Sequence, residues 1–135
     1  MYTAVNNYLE NKVLNASPEE LIIMLYDKAI SSLKKVKPLL GKDSLEPEDI
    51  KIKAEYFSKT VDIITYLKAC LNHQKGKEIA KNLDEIYQIL IDELLKAQIT
   101  NDIKKVEDAI EILSNLKNAW EEVRKTLKAK QTNVP

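Results

Sequence analysis

Cys70 and His73 are the side chains with the strongest metal-binding character in this 135-residue sequence. They lie one helical turn apart, so a thiolate and an imidazole could approach the same soft cation. However, the sequence holds one cysteine and one histidine, whereas a structural zinc site needs four ligands and a di-iron bundle needs two Glu-x-x-His motifs. We therefore expect no metal and no other cofactor. Cys70 is predicted to be a buried thiol and His73 a residue at a helix end.

Patterns for catalysis and nucleic-acid binding are also missing. Ser17 is explained as a helix cap and the Glu19-Glu20 pair as a favourable charge at a helix N-terminus. No nucleotide-binding loop, catalytic triad or carboxylate pair in a cleft can be recognised. Trp120 and six tyrosines could stack on bases, but a formal net charge of +0 gives no basic groove. We expect neither an enzyme nor a nucleic-acid-binding protein, and we place Trp120 in the core.

The composition favours long helices in one domain. The chain has only 2 Gly and 4 Pro, with 44% hydrophobic and 31% charged residues, which is typical of helical proteins. There is no apolar stretch near ~18 residues and no positively charged segment before an apolar run. With a single cysteine, these features predict a cytoplasmic protein without membrane insertion.

The first long helix is predicted from its N-terminal cap. Ser17 can accept a hydrogen bond from an amide in the first turn, and the Glu20 side chain can reach back to the Ser17 amide. Proline at the first helical position loses no hydrogen bond. The helix is predicted over about Pro18–Lys37, because Pro38 disfavours helical conformation in the residue before it and Gly41 suits a C-terminal cap.

Three further helices follow from the spacing of apolar residues. Pro47 opens the second helix, Gly76 marks the break before the third, and Asn101 is predicted to cap the fourth. The predicted spans are about Glu48–His73, Lys77–Ile99 and Asp102–Ala129. Short connections predict an all-α, antiparallel up-down four-helix bundle. It forms a single domain over residues 1–135, with a mobile arm or short helix at 1–16 and a mobile tail at 130–135.

The second and fourth helices carry more apolar surface than one core contact needs. On the second helix the apolar arc spans roughly 200°, against about 100° for a surface helix. Lys53 and Lys68 interrupt this arc, so the sequence leaves open which edge faces inward. Such surplus surface indicates a groove for a partner helix, or a surface that the arm or a second copy covers. The predicted partner-binding residues are Tyr56, Ile63, Leu67, Ile112, Ala119 and Val123.

The N-terminal arm is too apolar to remain fully in solvent. Its Tyr8, Leu9 and Val13 could cover Ile23 and Ile30, which fall opposite the core face of the first helix. We expect the arm to lie over the bundle and to move when a partner binds.

Several motifs spread over the chain, in a fixed order, resemble one family of proteins. They are Tyr-Leu-Glu-Asn-Lys-Val from Tyr8, Ala-Ser-Pro-Glu-Glu-Leu from Ala16, Met-Leu-Tyr-Asp from Met24, Gly-Lys-Glu-Ile-Ala-Lys-Asn-Leu from Gly76, Tyr87, Asn101-Asp102, and the segment from Leu113 to Glu121. The family is that of the flagellar export chaperones called FliS. Two departures are Asn15, where the family often has threonine, and Lys28, where it often has glycine.

The resemblance implies a helical bundle that binds the disordered C-terminal segment of flagellin. Such a chaperone prevents premature polymerisation and aids delivery to the export apparatus, where export-gate or regulatory proteins are possible further partners. A flagellin tail without its filament neighbours is amphipathic, which agrees with a surplus apolar groove. The alternative is a homodimeric helical adaptor that uses the same apolar face for self-association.

Overall fold

The computed structural model describes residues 17–132, with side chains described to residue 130. Four helices cover this range: α1 Pro18–Leu40, α2 Pro47–Ala69, α3 His73–Thr100 and α4 Ile103–Thr132. Each helix packs against the next one, and α4 packs against α1. The predicted all-α, antiparallel up-down bundle is therefore confirmed, and α1 and α3 face each other across its diagonal.

The two ends of the chain are predicted to be an arm and a tail, and the structure describes only part of the tail. The arm, with Tyr8, Leu9 and Val13, lies outside the described residues, as do residues 133–135. α4 continues to Thr132, so the first three residues of the predicted tail have helical backbone. The favourable helix propensity of Lys and Gln in this segment accounts for the extension.

The Ser17 half of the predicted α1 cap is present. Ser17 Oγ accepts a hydrogen bond of 3.2 Å from the Glu20 backbone N–H, and the helix begins at Pro18. The Glu20 carboxylate lies 3.5 Å from Lys128 Nζ, so this residue also ties the start of α1 to the far end of α4.

α1 ends at Leu40, three residues after the predicted Lys37, with Pro38 inside its last turn. The prediction that Pro38 stops the helix is wrong. A proline there lacks only one N–H bond to the preceding turn, and its fixed φ angle remains compatible with the helix. The chain leaves the helix at Gly41, whose N–H bonds to the Leu39 carbonyl.

The α2–α3 corner is shorter than predicted. α2 begins at Pro47, as expected, but ends at Ala69. Cys70 follows as the exposed C-cap, so the expectation of a buried thiol is wrong. His73 opens α3, after Asn72 accepts a 3.0 Å hydrogen bond from the Lys75 N–H.

The helix break predicted at Gly76 lies one residue later, at Lys77. Lys77 has φ 46° and ψ −117° inside α3, which is a conformation that strains a residue with a side chain. Gly76 is needed for a different reason: a Cβ atom there would lie 2.8 Å from the Ala80 Cβ. The first turn of α3 therefore folds tightly over the helix that follows.

At the α3–α4 corner, Asn101 ends α3 and Asp102 caps α4. Asn101 has φ 56° and ψ 39° and closes α3 in the left-handed region, which asparagine tolerates well. Asp102 is the residue that caps α4, because its Oδ1 accepts a 3.3 Å bond from the Lys105 N–H. The prediction that Asn101 caps α4 is wrong by one position.

A buried tyrosine pair joins diagonal helices in the core. The hydroxyl groups of Tyr26 on α1 and Tyr87 on α3 hydrogen-bond to each other, and both side chains are buried. Burial raises the pKa of both phenols, although hydrogen bonds from Tyr87 and Trp120 partly oppose the shift at Tyr26. Trp120 is half-buried against the core, as the sequence predicts.

Candidate partner-binding surface

The α2 half of the predicted partner surface is packed inside the bundle. Ile63 and Leu67 are only 9% and 5% exposed and belong to the main core cluster. Tyr56, on the same edge of α2, is half-buried, and its hydroxyl accepts a 3.3 Å bond from Lys35 Nζ of α1. Ile63 and Leu67 are therefore part of the bundle core rather than of an open surface. α2 contacts α1 on one side and α3 on the other. Because it packs against two helices, α2 needs a wider apolar arc than a helix with a single contact.

The α4 half of that surface is open. Ile112 and Val123 are 37% and 44% exposed, and Ala119 is also exposed. Leu127 extends the same stripe by another turn and is exposed as well. Steps of seven and four residues keep these side chains on one side of the helix.

An ion pair shows which helix this stripe faces. Lys105 near the start of α4 pairs with Glu93 of α3. Ile112 and Ala119 follow Lys105 at intervals of seven residues, nearly two full turns, so they lie on the same edge of α4. The exposed stripe of α4 therefore points toward α3.

The facing edge of α3 is also apolar. Ile86 and Ile79 precede Glu93 at the same intervals of seven residues, so they lie on the edge that the ion pair assigns to α4. Ile79 is 71% exposed, while Ile86 packs partly against the core. Since the helices are antiparallel, the two apolar edges run side by side away from the ion pair.

We call this surface the α3–α4 groove. Leu83 and Leu116, both partly buried against the core, lie one turn from Ile79 and Ile112 and close its floor. The complete lining is Ile79, Leu83, Ile86, Ile112, Leu116, Ala119 and Val123. The spacing of Ile79, Leu83 and Ile86 is that of an ordinary core face; only the position of the Glu93–Lys105 pair assigns them to an open edge.

Another concave surface, on the α1–α4 side of the bundle, is largely polar. A cavity of about 440 Å³ lies between α1 and α4, where Asp27 pairs with Lys117 at 2.5 Å and raises the pKa of that lysine. Ile30 lines it and also belongs to the core cluster, so α4 covers this residue.

Within residues 17–130, no group of three or more His, Cys, Asp or Glu residues could hold a metal ion. None of the described helices is both long and apolar enough to cross a membrane.

Comparison with known proteins agrees with this architecture. The family model described as "Flagellar protein FliS" matches residues 1–127. The chain belongs to the FliS family. It is 40% identical over 130 residues to the flagellar secretion chaperone FliS of Salmonella typhimurium, covering 91% of this chain and 93% of the relative. The corresponding chaperone of Vibrio cholerae is 33% identical over 115 residues, covering 85% and 81%.

A solved structure shares the fold. It is described as the crystal structure of a flagellar chaperone from bacteria and has a TM-score of 0.71 at 19% identity. The likeness covers 93% of this chain and 98% of that one. FliS proteins are secretion chaperones, a non-enzymatic family, so the expectation that this chain is not an enzyme is confirmed by its relatives.

Proposed function

We propose that this FliS-family chain binds the disordered C-terminal segment of flagellin in the α3–α4 groove and acts in the cytoplasm. There it would prevent premature polymerisation and aid delivery of flagellin to the export apparatus. The observation that carries the proposal is the pair of apolar edges formed by Ile79 and Ile86 on α3 and by Ile112 and Ala119 on α4. A secretion chaperone meets its cargo before export, which supports the cytoplasmic location.

The dimensions of the groove suit an amphipathic helix. From Ile112 to Val123 the stripe covers three turns, or about 16 Å at the rise of an α-helix. The small side chain of Ala119 lies near its middle and allows a partner backbone to approach closely. A client helix would place its apolar residues at intervals of three and four against these side chains.

Binding would explain the chaperone activity physically. The flagellin tail would bury in the groove the same kind of apolar side chains that otherwise drive filament assembly. Ordering a disordered segment typically costs ~2–5 kcal/mol of the gross interaction energy. A client that continues past Leu127, the exposed apolar residue at the open end of the stripe, would gain further contact area against that cost.

Calorimetric titration of the full chain with a flagellin C-terminal peptide tests this proposal. We expect saturable binding whose enthalpy becomes more negative with rising temperature, because apolar surface is buried. The control is the same peptide with the apolar residues of one helical face replaced by serine, which should not bind. Equal binding of both peptides, or of neither, would contradict the groove proposal.

The alternative function, a homodimeric adaptor, can be distinguished from the client-binding chaperone by the molar mass of the protein in solution. Light scattering coupled to size exclusion should give a monomer mass for the free chain and the mass of a 1:1 complex with the peptide. A dimer that persists when the peptide is present would assign the apolar edges to self-association instead.

A further inference from the structure

A second unusual surface lies between α1 and α2, around the half-buried ring of Tyr56. Lys35 Nζ of α1 is 4.9 Å from the ring centroid, and Lys59 Nζ of α2 is 4.8 Å from it. Both distances are typical of cation–π contacts. Two ammonium groups from different helices are therefore held at one aromatic side chain.

Lys28 adds a third positive charge. It lies seven residues before Lys35, on the same side of α1, and it is half-buried. Burial lowers the pKa of Lys28, and the charges of Lys59 and Lys35 lower it further. We name these residues the Tyr56 cluster: Lys28, Lys35, Tyr56 and Lys59.

The lysines of the cluster differ from several other lysines of the bundle, which are paired with carboxylates. Lys117 lies 2.5 Å from Asp27, and Lys68 lies 3.1 Å from Asp84. Among the residues that the structure describes, the three lysines of the cluster form no ion pair with a carboxylate. Like charges brought together destabilise a fold, so packing alone does not account for this arrangement.

The position of the cluster separates it from the proposed client surface. The helices follow one another around the bundle in the order α1, α2, α3, α4. The α1–α2 face is therefore opposite the α3–α4 groove, and a ligand at one face does not occupy the other. A cavity of about 320 Å³ adjoins Lys28 and is lined also by Met24, Asp27 and Ser31, which leaves room for a side chain beside the charges.

We propose that the Tyr56 cluster binds an acidic segment of a second partner protein. Each carboxylate of such a segment would supply the counter-charge that the lysines lack, and neighbouring apolar side chains could enter the cavity beside Met24. Nucleic acid fits less well, because three charges on a chain of net charge +0 make a small footprint. The surface would let the chaperone hold its client and a second protein at the same time.

Fluorescence anisotropy of the full chain with a synthetic acidic peptide tests the proposal. The probe is a fluorescein-labelled twelve-residue peptide that alternates pairs of glutamate with leucine, and the control peptide has glutamine in place of glutamate. We expect the glutamate peptide to bind about tenfold more tightly than the glutamine peptide, and the difference to shrink as salt screens the charges. Equal binding of the two peptides would overturn the proposal.

Two matched lysine variants locate the site on α2. Lys59→Glu removes one charge of the cluster and adds a repulsive one, so the affinity for the glutamate peptide should fall about tenfold. Lys51→Glu makes the same change at an exposed position about two turns before Lys59 on α2 and, because Lys51 lies outside the Tyr56 cluster, should change affinity less than about twofold. Equal losses would show a non-specific effect of net charge and would contradict the site.

Competition distinguishes the chemical class of the ligand. Inorganic phosphate and a single-stranded oligothymidylate are added to the peptide complex at equal ionic strength. We expect neither to displace the peptide at concentrations comparable to its own. Displacement by either would assign the cluster to phosphate groups and overturn an acidic protein partner. The peptide should also bind Ile79→Glu as it binds the unchanged protein, so the result does not depend on the client groove.

Discussion

Tyr26 and Tyr87 lie on diagonal helices and hydrogen-bond through their hydroxyl groups in the centre of the bundle. The bond joins α1 directly to α3, two helices that are separated around the bundle by α2 and α4. Since Tyr87 follows Ile86 in the sequence, this bond fixes α3 behind the α3–α4 groove. A buried hydroxyl without a partner is costly, so each tyrosine depends on the other.

A double-mutant cycle tests this dependence. Tyr87→Phe leaves the Tyr26 hydroxyl buried without its α3 partner and should reduce the free energy of unfolding by about 1–2 kcal/mol. Tyr26→Phe should have a similar cost, and the double variant should lose clearly less than the sum of the two. Urea denaturation of all four proteins gives the values. Strict additivity would show that the two hydroxyls do not interact.

The same pair predicts a loss of stability at alkaline pH. The pKa of each tyrosine is raised in the folded protein, so above about pH 10 the unfolded chain releases protons that the folded chain keeps. Stability is therefore fully present below about pH 10 and decreases above it. The Tyr26→Phe, Tyr87→Phe double variant should show a shallower decrease between about pH 9 and 11. Parallel pH profiles for the two proteins would contradict this assignment.

The cap of α1 should act on stability alone. Ser17→Ala removes the 3.2 Å bond to the Glu20 amide and should cost about 1 kcal/mol in the free energy of unfolding. Affinity for the flagellin peptide should hardly change, because Ser17 caps α1, which does not line the groove. Thermal melts and calorimetry check the two parts, and a large change in affinity would count against a purely structural role.

Burial of Ile63 predicts that a charge there disrupts the fold. Ile63→Glu places an unpaired carboxylate in the core. It should lower the free energy of unfolding by about 3–5 kcal/mol. Ile50→Glu, on an exposed part of the same helix, is the matched control and should leave the melting temperature nearly unchanged. A folded Ile63→Glu protein with a normal melt would mean that this edge of α2 is open after all.

Local features of the fold could be predicted from the sequence, because their causes lie within a few residues. Ser17 and Pro18 define the start of α1, and Pro47 defines the start of α2, through hydrogen bonds and φ angles that depend on immediate neighbours. Asn101 and Asp102 both suit a cap. Which of them caps α4 depends on where α3 ends, which is a property of two helices together.

The rotation of α2 could not be predicted in the same way. Its apolar arc is wide and Lys53 and Lys68 interrupt it, so the sequence leaves the inward edge undecided, whereas the structure packs Ile63 and Leu67 in the core. Conversely, Ile79 has the spacing of a core residue yet is exposed. Helical spacing identifies an apolar edge, but only the neighbouring helix decides whether that edge is covered.

The most direct test of the client groove compares two isoleucines of α3. Ile79 and Ile99 are 71% and 83% exposed; Ile79 lies on the groove edge, and Ile99 lies on a different side of the helix, near its C-terminal end. Because both side chains are in water, Ile79→Glu and Ile99→Glu should each retain the circular dichroism spectrum and melting temperature of the unchanged protein. Calorimetry with the flagellin C-terminal peptide should then show about a tenfold or greater loss of affinity for Ile79→Glu and less than about a twofold loss for Ile99→Glu. Unchanged affinity in Ile79→Glu, or equal losses in the two variants, would contradict binding in the α3–α4 groove.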